Sequence, residues 1–183
     1  MIAGYCWPQS VLPGETVSLA VSGAGLSCDV EVVRIGSEEV TVDKWEDIPV
    51  VEQPTAADVS HSGCGWEETL NIAVHRSWNS GFYLVRMVDH NGKKAEAFFV
   101  VRALQPRETL LVLATSTWAA YNDWGGPSYY TGGHYSSLQR PLPKGFLEKP
   151  DPHRYRVARI AELSEEERRD HFSNFSIWSS AAG

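Results

Sequence analysis

The alternation of hydrophobic and polar positions changes its rhythm near residue 104. Before that point, apolar residues recur at every second position in short runs. These are residues 16–21 (TVSLAV), 29–35 (DVEVVRI), 69–75 (TLNIAVH), 81–89 (GFYLVRMVD) and 95–102 (AEAFFVVR). Period two is the side-chain repeat of a strand with one face on a core. Pro13-Gly14 marks a turn before the first run, and His90-Asn91-Gly92 separates the last two. Asn-Gly favours the positive φ angles of a tight hairpin. Residues 43–64 are less regular and contain Pro49, Pro54 and His61-Ser62-Gly63, which predicts a long loop with one edge strand. Residues 1–103 therefore predict one all-β unit, a small β-sandwich of immunoglobulin-like architecture.

Residues 104–107 (LQPR) read as a linker, and the grammar beyond them differs. Residues 110–114 (LLVLA) are continuously apolar, as in a strand buried on both faces. Such a strand opens an α/β layer and carries ligand-binding groups at its carboxyl end. The stretch at 116–130, STWAAYNDWGGPSYY, occupies that position. Residues 125–153 follow, rich in Gly, Pro, Ser and Tyr, and too long for a mere connector. Residues 154–160 (RYRVARI) read as a strand. Ser164 and Glu167 fit a capping box opening a helix over 165–172, whose EEERRD stretch reads as a solvated face. Residues 108–183 thus predict the start of an α/β three-layer domain with a single central strand. One strand cannot bury both faces of a parallel sheet. The remaining strands are expected from another chain, or the sequence is an N-terminal fragment with a truncated second domain that stops in FSIWSSAAG at 175–183. There are no internal repeats.

Composition narrows the function classes. Apolar residues make up 43% and charged residues 21%, an ordinary globular balance. A net charge of -7 lacks the excess of Lys and Arg needed for non-specific binding to nucleic acid or anionic membranes. No apolar run is long enough to span a bilayer. The N-terminus, MIAGYCWPQS, lacks the basic region and apolar core of a signal peptide, so the expected location is cytoplasmic. Three cysteines (Cys6, Cys28, Cys64) without a CxxC argue against a disulfide framework or zinc knuckle. Six histidines show no HxxxH spacing. Cys64 lies near His61, the residue types of a thiol nucleophile and its base, but sequence adjacency is not geometry. A buried structural Cys is the plainer reading. His134 reads as a solvated loop residue. The seven tryptophans are the outlier. By composition alone, Tyr121, Asn122 and Trp124 read as a domain joint, in which aromatics pack and Asn caps a turn.

STWAAYNDWGGPSYY resembles a signature of the N,N-dimethylformamidase large (beta) subunit-like family. There a strand ends in Thr-Trp and leads through Ala-Tyr-Asn and Trp-Gly-Gly to a Ser and a Tyr. Here these are Thr117, Trp118, Ala120, Tyr121, Asn122, Trp124, Gly125, Gly126, Ser128 and Tyr130. Ser137-Leu138-Gln139-Arg140-Pro141 is similar to the family's Ser-hydrophobic-x-Arg-Pro segment. Residues 178–183 look like the point where the family continues into a Trp-rich helix, and the N-terminal sandwich fits the β domain preceding its α/β domain. The resemblance spans the whole chain and the first part of the family's length.

What the resemblance implies is an amide hydrolase with a mononuclear iron held by two Tyr and one Glu, acting on a small N-substituted amide such as dimethylformamide. It implies Tyr121 and Tyr130 as phenolate ligands and Asn122 as a hydrogen-bond donor to a developing oxyanion. Trp118 and Trp124 would wall an apolar substrate pocket. The implied partners are a small subunit and further copies of the chain. The family's later His-Asp-Glu-Tyr motif, source of the Glu ligand, does not occur among these 183 residues. Two other readings remain open at this point. One is a β-sandwich binding module with an aromatic-lined surface and no metal. The other is an α/β domain of glutaminase-like shape with different chemistry.

Overall fold

The period-two runs fold as strands of a two-layer β-sandwich in the computed structural model, which describes residues 2–25 and 27–147. β1 (Ala3–Trp7), β3 (Thr16–Ser22) and β6 (Leu70–Ala73) make a three-stranded antiparallel sheet in that order. The second sheet orders β2 (Ser10–Val11), β8 (Lys94–Val101), β7 (Gly81–Asp89), β4 (Ser27–Ile35) and β5 (Val40–Pro49). Its pairs are antiparallel except β2, which runs parallel to β8.

The alternation places one set of side chains between the sheets. Val17, Leu19 and Ile72 of the first sheet meet Val30, Val32, Val85, Met87 and Phe99 of the second in one buried cluster. Tyr83, at the start of β7, is fully buried and stacks on Trp78 and Phe99. Its hydroxyl donates to the carbonyl of Asn79 at 2.5 Å, a tyrosine corner that pins the entry of the strand. The β7–β8 hairpin turns where Asn-Gly predicted. Asp89 Oδ1 accepts the backbone N–H of Asn91 and of Lys93, each at 2.9 Å, and Gly92 has φ 75°.

The period-two pattern does not predict β1 or β2, and β1 has a physical reason. Its residues 3–6 are all buried, so no alternation is written into AGYCW. A strand covered on both faces loses the period-two signal. β5 is the edge strand expected within 43–64, but it begins earlier, at Val40.

The outer faces are partly covered as well. Ala3, Tyr5 and Ala20 on the back of the first sheet pack with Val59, Cys64 and Trp66, and Trp124 closes over them. Val59 belongs to the one-turn helix α1 (Val59–Ser62). On the back of the second sheet, Phe82 and Phe98 pack with Trp118, Leu113, Leu142, Phe146 and Leu147. The chain after residue 112 thus reaches both backs of the sandwich.

Residues 110–114 do not form the doubly buried strand expected of LLVLA. They are not in a strand, and Leu110, Leu111 and Val112 are 84%, 61% and 65% exposed. A parallel strand takes its stability from neighbours on both sides and layers on both faces. No described strand pairs with this run. The first residues of STWAAYNDWGG form a helix. The expected strand at 154–160, the capping box of Ser164 and Glu167 with its helix, and the segment at 175–183 lie outside the described residues.

Candidate functional site

The aromatic stretch begins as α2 (Thr115–Tyr121) and ends at Asn122. Asn122 stops the helix with its side chain: Oδ1 accepts the N–H of Trp124 at 2.9 Å, and Nδ2 donates to the carbonyl of Pro141 at 2.9 Å. The residue is 2% exposed. Asn and Asp favour such local bonds over continued helix. The donor expected to face an oxyanion is therefore bonded to the Pro141 carbonyl.

Trp118 and Trp124 face opposite sheets. Trp118 sets its ring edge-on to Phe98 at 4.8 Å and to Phe82 at 6.3 Å. Trp124 meets Trp66 edge-on at 5.5 Å, and Trp66 in turn packs on Tyr5 at 5.9 Å. Gly125 lets the chain pass closely over α1. It sits at φ 70°, and a Cβ there would lie 2.9 Å from Val59. Both the backbone angle and the contact demand glycine.

The tyrosines point elsewhere. A 3₁₀ turn, Tyr129–Thr131, follows Ser128, whose N–H donates to Thr131 Oγ1 at 2.8 Å. This turn brings Tyr130 onto Tyr121, with ring centroids 4.4 Å apart and planes inclined by 24°. The Tyr121 phenol beside it raises the pKa of Tyr130, through its polar contact and its charge, and burial and the charge of Tyr129 add to the shift. Tyr130 is 64% exposed, and Tyr129 stands edge-on to it at 5.9 Å. Tyr135 is exposed too and packs on His61 at 4.6 Å. The two candidate ligands, nine positions apart in sequence, thus share one patch.

Among the described residues no cluster of three His, Cys, Asp or Glu side chains could hold a metal ion. Cys64 is not a nucleophile in this setting. It is buried, and burial pushes its thiol up to about 12 against the opposing pull of Arg140. A thiol held protonated at neutral pH is inert.

A cleft of about 1210 Å³ is lined by Ile2, Arg86, Lys94, Trp124 and Leu142, and by neither Tyr121 nor Tyr130. A void of about 10 Å³ under α2 touches Trp118, Asn122 and Arg140. It has the size of one water.

Arg140 lies in the Arg-Pro segment, to which the sequence assigns no role. It is 2% exposed. Nη2 donates to the carbonyl of Asn122 at 2.6 Å and to Ser136 Oγ at 3.2 Å, and Nη1 donates to the carbonyl of Trp124 at 3.0 Å. Burial lowers its pKa, while Cys64 and Asp123 oppose the shift. A lone Arg before Pro carries no signal of this role. It appears only once the carbonyls of residues 122 and 124 are seen to converge.

No helix of the described residues is long and apolar enough to cross a membrane. No curated protein matches the chain. Similar solved structures include a variant of superoxide reductase (neelaredoxin) from Ignicoccus hospitalis, at 12% identity and TM-score 0.31 over 55% of this chain and 81% of that one. Another is superoxide reductase (neelaredoxin) from Ignicoccus hospitalis without that change, at 13% identity and TM-score 0.29 over 56% and 79%. Murine CEACAM1b follows at 15% identity and TM-score 0.29 over 58% and 55%. Scores this low bear on neither fold nor activity. The family model described as "N,N-dimethylformamidase beta subunit-like, C-terminal" matches residues 29–174, taking in both the sandwich from β4 onward and the whole aromatic stretch. On that match, the chain belongs to the N,N-dimethylformamidase beta subunit-like family.

Proposed function

We propose that Tyr121 and Tyr130 supply two ligands of a mononuclear iron site at which a small N-substituted amide is hydrolysed. The observation that carries this reading is the stacked pair itself, with Tyr130 open to solvent. Anionic oxygen donors suit a hard cation. Ferric iron would supply Lewis acidity toward an amide carbonyl.

The chain's own residues have three tasks in this reading. Tyr121 and Tyr130, stacked ring on ring, would hold the metal as phenolates, each giving up its own phenol proton. Metal binding would therefore be favoured as pH rises, and the raised pKa of Tyr130 moves that requirement to higher pH. Trp118 and Asn122 hold the stretch in place, and Trp124, half-buried, borders the cleft that an amide substituent could enter. The Glu of the family's His-Asp-Glu-Tyr motif is the third ligand in this reading. We also infer an immunoglobulin-like kinship of the sandwich from the Tyr83 corner.

Ferric titration of the purified chain, followed in the visible, tests the ligand pair. A tyrosinate-to-iron band that is lost in Tyr121→Phe and in Tyr130→Phe supports the reading, and a chain that stays colourless with ferric ion sinks it. Since the His-Asp-Glu-Tyr motif is absent from these residues, they are expected to release no formate from dimethylformamide by themselves.

A further inference from the structure

We propose that Arg140 is the positioning residue of the tyrosine pair, an inference that rests on reading Tyr121 and Tyr130 as one site. Tyr121 ends a helix with no side-chain cap at its start. Its place is set by bonds on either side of it. The carbonyl of Ala119 accepts from Ser136 Oγ, and the carbonyls of Asn122 and Trp124 accept from the terminal nitrogens of Arg140. Ser136 Oγ also accepts from Arg140, so one guanidinium reaches backbone before and after Tyr121, directly or through Ser136.

Tyr130 needs less help. Its turn is closed locally by the Ser128 N–H on Thr131 Oγ1 at 2.8 Å and the Gly133 N–H on the Ser128 carbonyl at 2.8 Å. The spacing of the pair therefore depends on where the end of α2 sits relative to that turn. The chain leaving the turn carries Ser136 and Arg140, and these grip the end of α2. Arg140 thus couples the element bearing one tyrosine to the element bearing the other.

Arginine suits this task for a stated reason. Three acceptors in different directions are met by a rigid planar fork with several donors, which the single ammonium of lysine does not match. Burial strengthens these charge-assisted bonds by excluding water. If the residue acted only through its charge or bulk, lysine would restore what arginine does.

The test needs no metal. In the full chain with isotope-labelled Tyr and Phe, the wild type should show a nuclear Overhauser contact between the rings of Tyr121 and Tyr130. Arg140→Met and Arg140→Lys should both lose it, while the Phe82–Phe98 contact of the sandwich persists. Ferric affinity should fall by about tenfold or more in both variants, as with outer-shell partners of metal ligands. Survival of the Tyr121–Tyr130 contact in Arg140→Met, or its full return in Arg140→Lys, overturns the proposal. If the Arg140 variants do not fold, Ser136→Ala cuts the link to Ala119 and leaves the buried charge in place. The contact should then weaken, and an unchanged contact overturns the proposal. A wild type with the ring contact but without a ferric band defeats the iron reading and leaves the role of Arg140 standing.

Discussion

The sandwich and the chain from Leu104 to Leu147 keep their shapes by different means. In the sandwich, backbone ladders carry the architecture and side chains fill one continuous core. Beyond Leu104 there are one seven-residue helix and one 3₁₀ turn among the described residues. There, side chains bond to backbone carbonyls in place of a ladder: Arg140 to Asn122 and Trp124, Asn122 to Pro141, Ser136 to Ala119. Two tryptophans anchor the segment, one to each sheet. The same segment leaves Tyr121 and Tyr130 against each other rather than against the core. The difference teaches how to divide an aromatic-rich stretch. Rings that the sandwich uses are accounted for by packing, and rings that pack only on one another ask for a ligand.

The strongest way to break this division is to remove an anchor. Trp118→Ala deletes a buried ring that stands edge-on to both Phe82 and Phe98, and such truncations cost about 3–5 kcal/mol. Urea denaturation should show a loss of that size. Tyr130→Phe keeps the ring and removes an exposed hydroxyl, so its midpoint should barely move. Equal losses for the two would abolish the distinction between anchors and site. A smaller effect is expected at Gly125, where alanine adds a strained φ and a clash with Val59. We expect Gly125→Ala to lose about 1–3 kcal/mol. Its near-ultraviolet spectrum should change at Trp124 and Trp66, whose rings meet just beside it.

The same contrast explains what could be read from the sequence. β7 was legible to the residue, because alternation and the Asn-Gly turn both report a strand with one buried face. β1 was illegible because Tyr5 and Cys6 are buried on opposite faces. LLVLA misled for the complementary reason. Apolar continuity reports a demand for burial, but the neighbours that would meet it are not among the described residues. At the site, Tyr121 and Tyr130 were picked out by resemblance, and the fold brings them together. Asn122 was also picked out, but the helix end claims its side chain. Arg140 had no local signal at all, since its two carbonyl acceptors lie many residues away.

The smallest predicted effect sharpens the comparison from the sandwich side. Asp89 is the one polar side chain on which the β7–β8 turn depends. Burial alone would raise its pKa, but the backbone N–H groups of Lys93 and Asn91 outweigh it, and the charges of Lys93 and His90 help, so the folded value lies below normal. A depressed carboxylate contributes stability above its unfolded pKa of about 3.9, and that contribution fades as pH falls through the folded value. Wild type should therefore lose stability more steeply than Asp89→Asn as pH drops below about 4. Above that window the ordering holds with wild type the more stable, because an amide oxygen accepts the same bonds without charge. The ferric band and the Tyr121–Tyr130 contact of Asp89→Asn should match wild type, since the hairpin and the tyrosine patch share no bond. If the substitution instead disturbed that ring contact, the sandwich turn and the aromatic segment would be one cooperative unit, and the division into ladder-held and side-chain-held regions would fail.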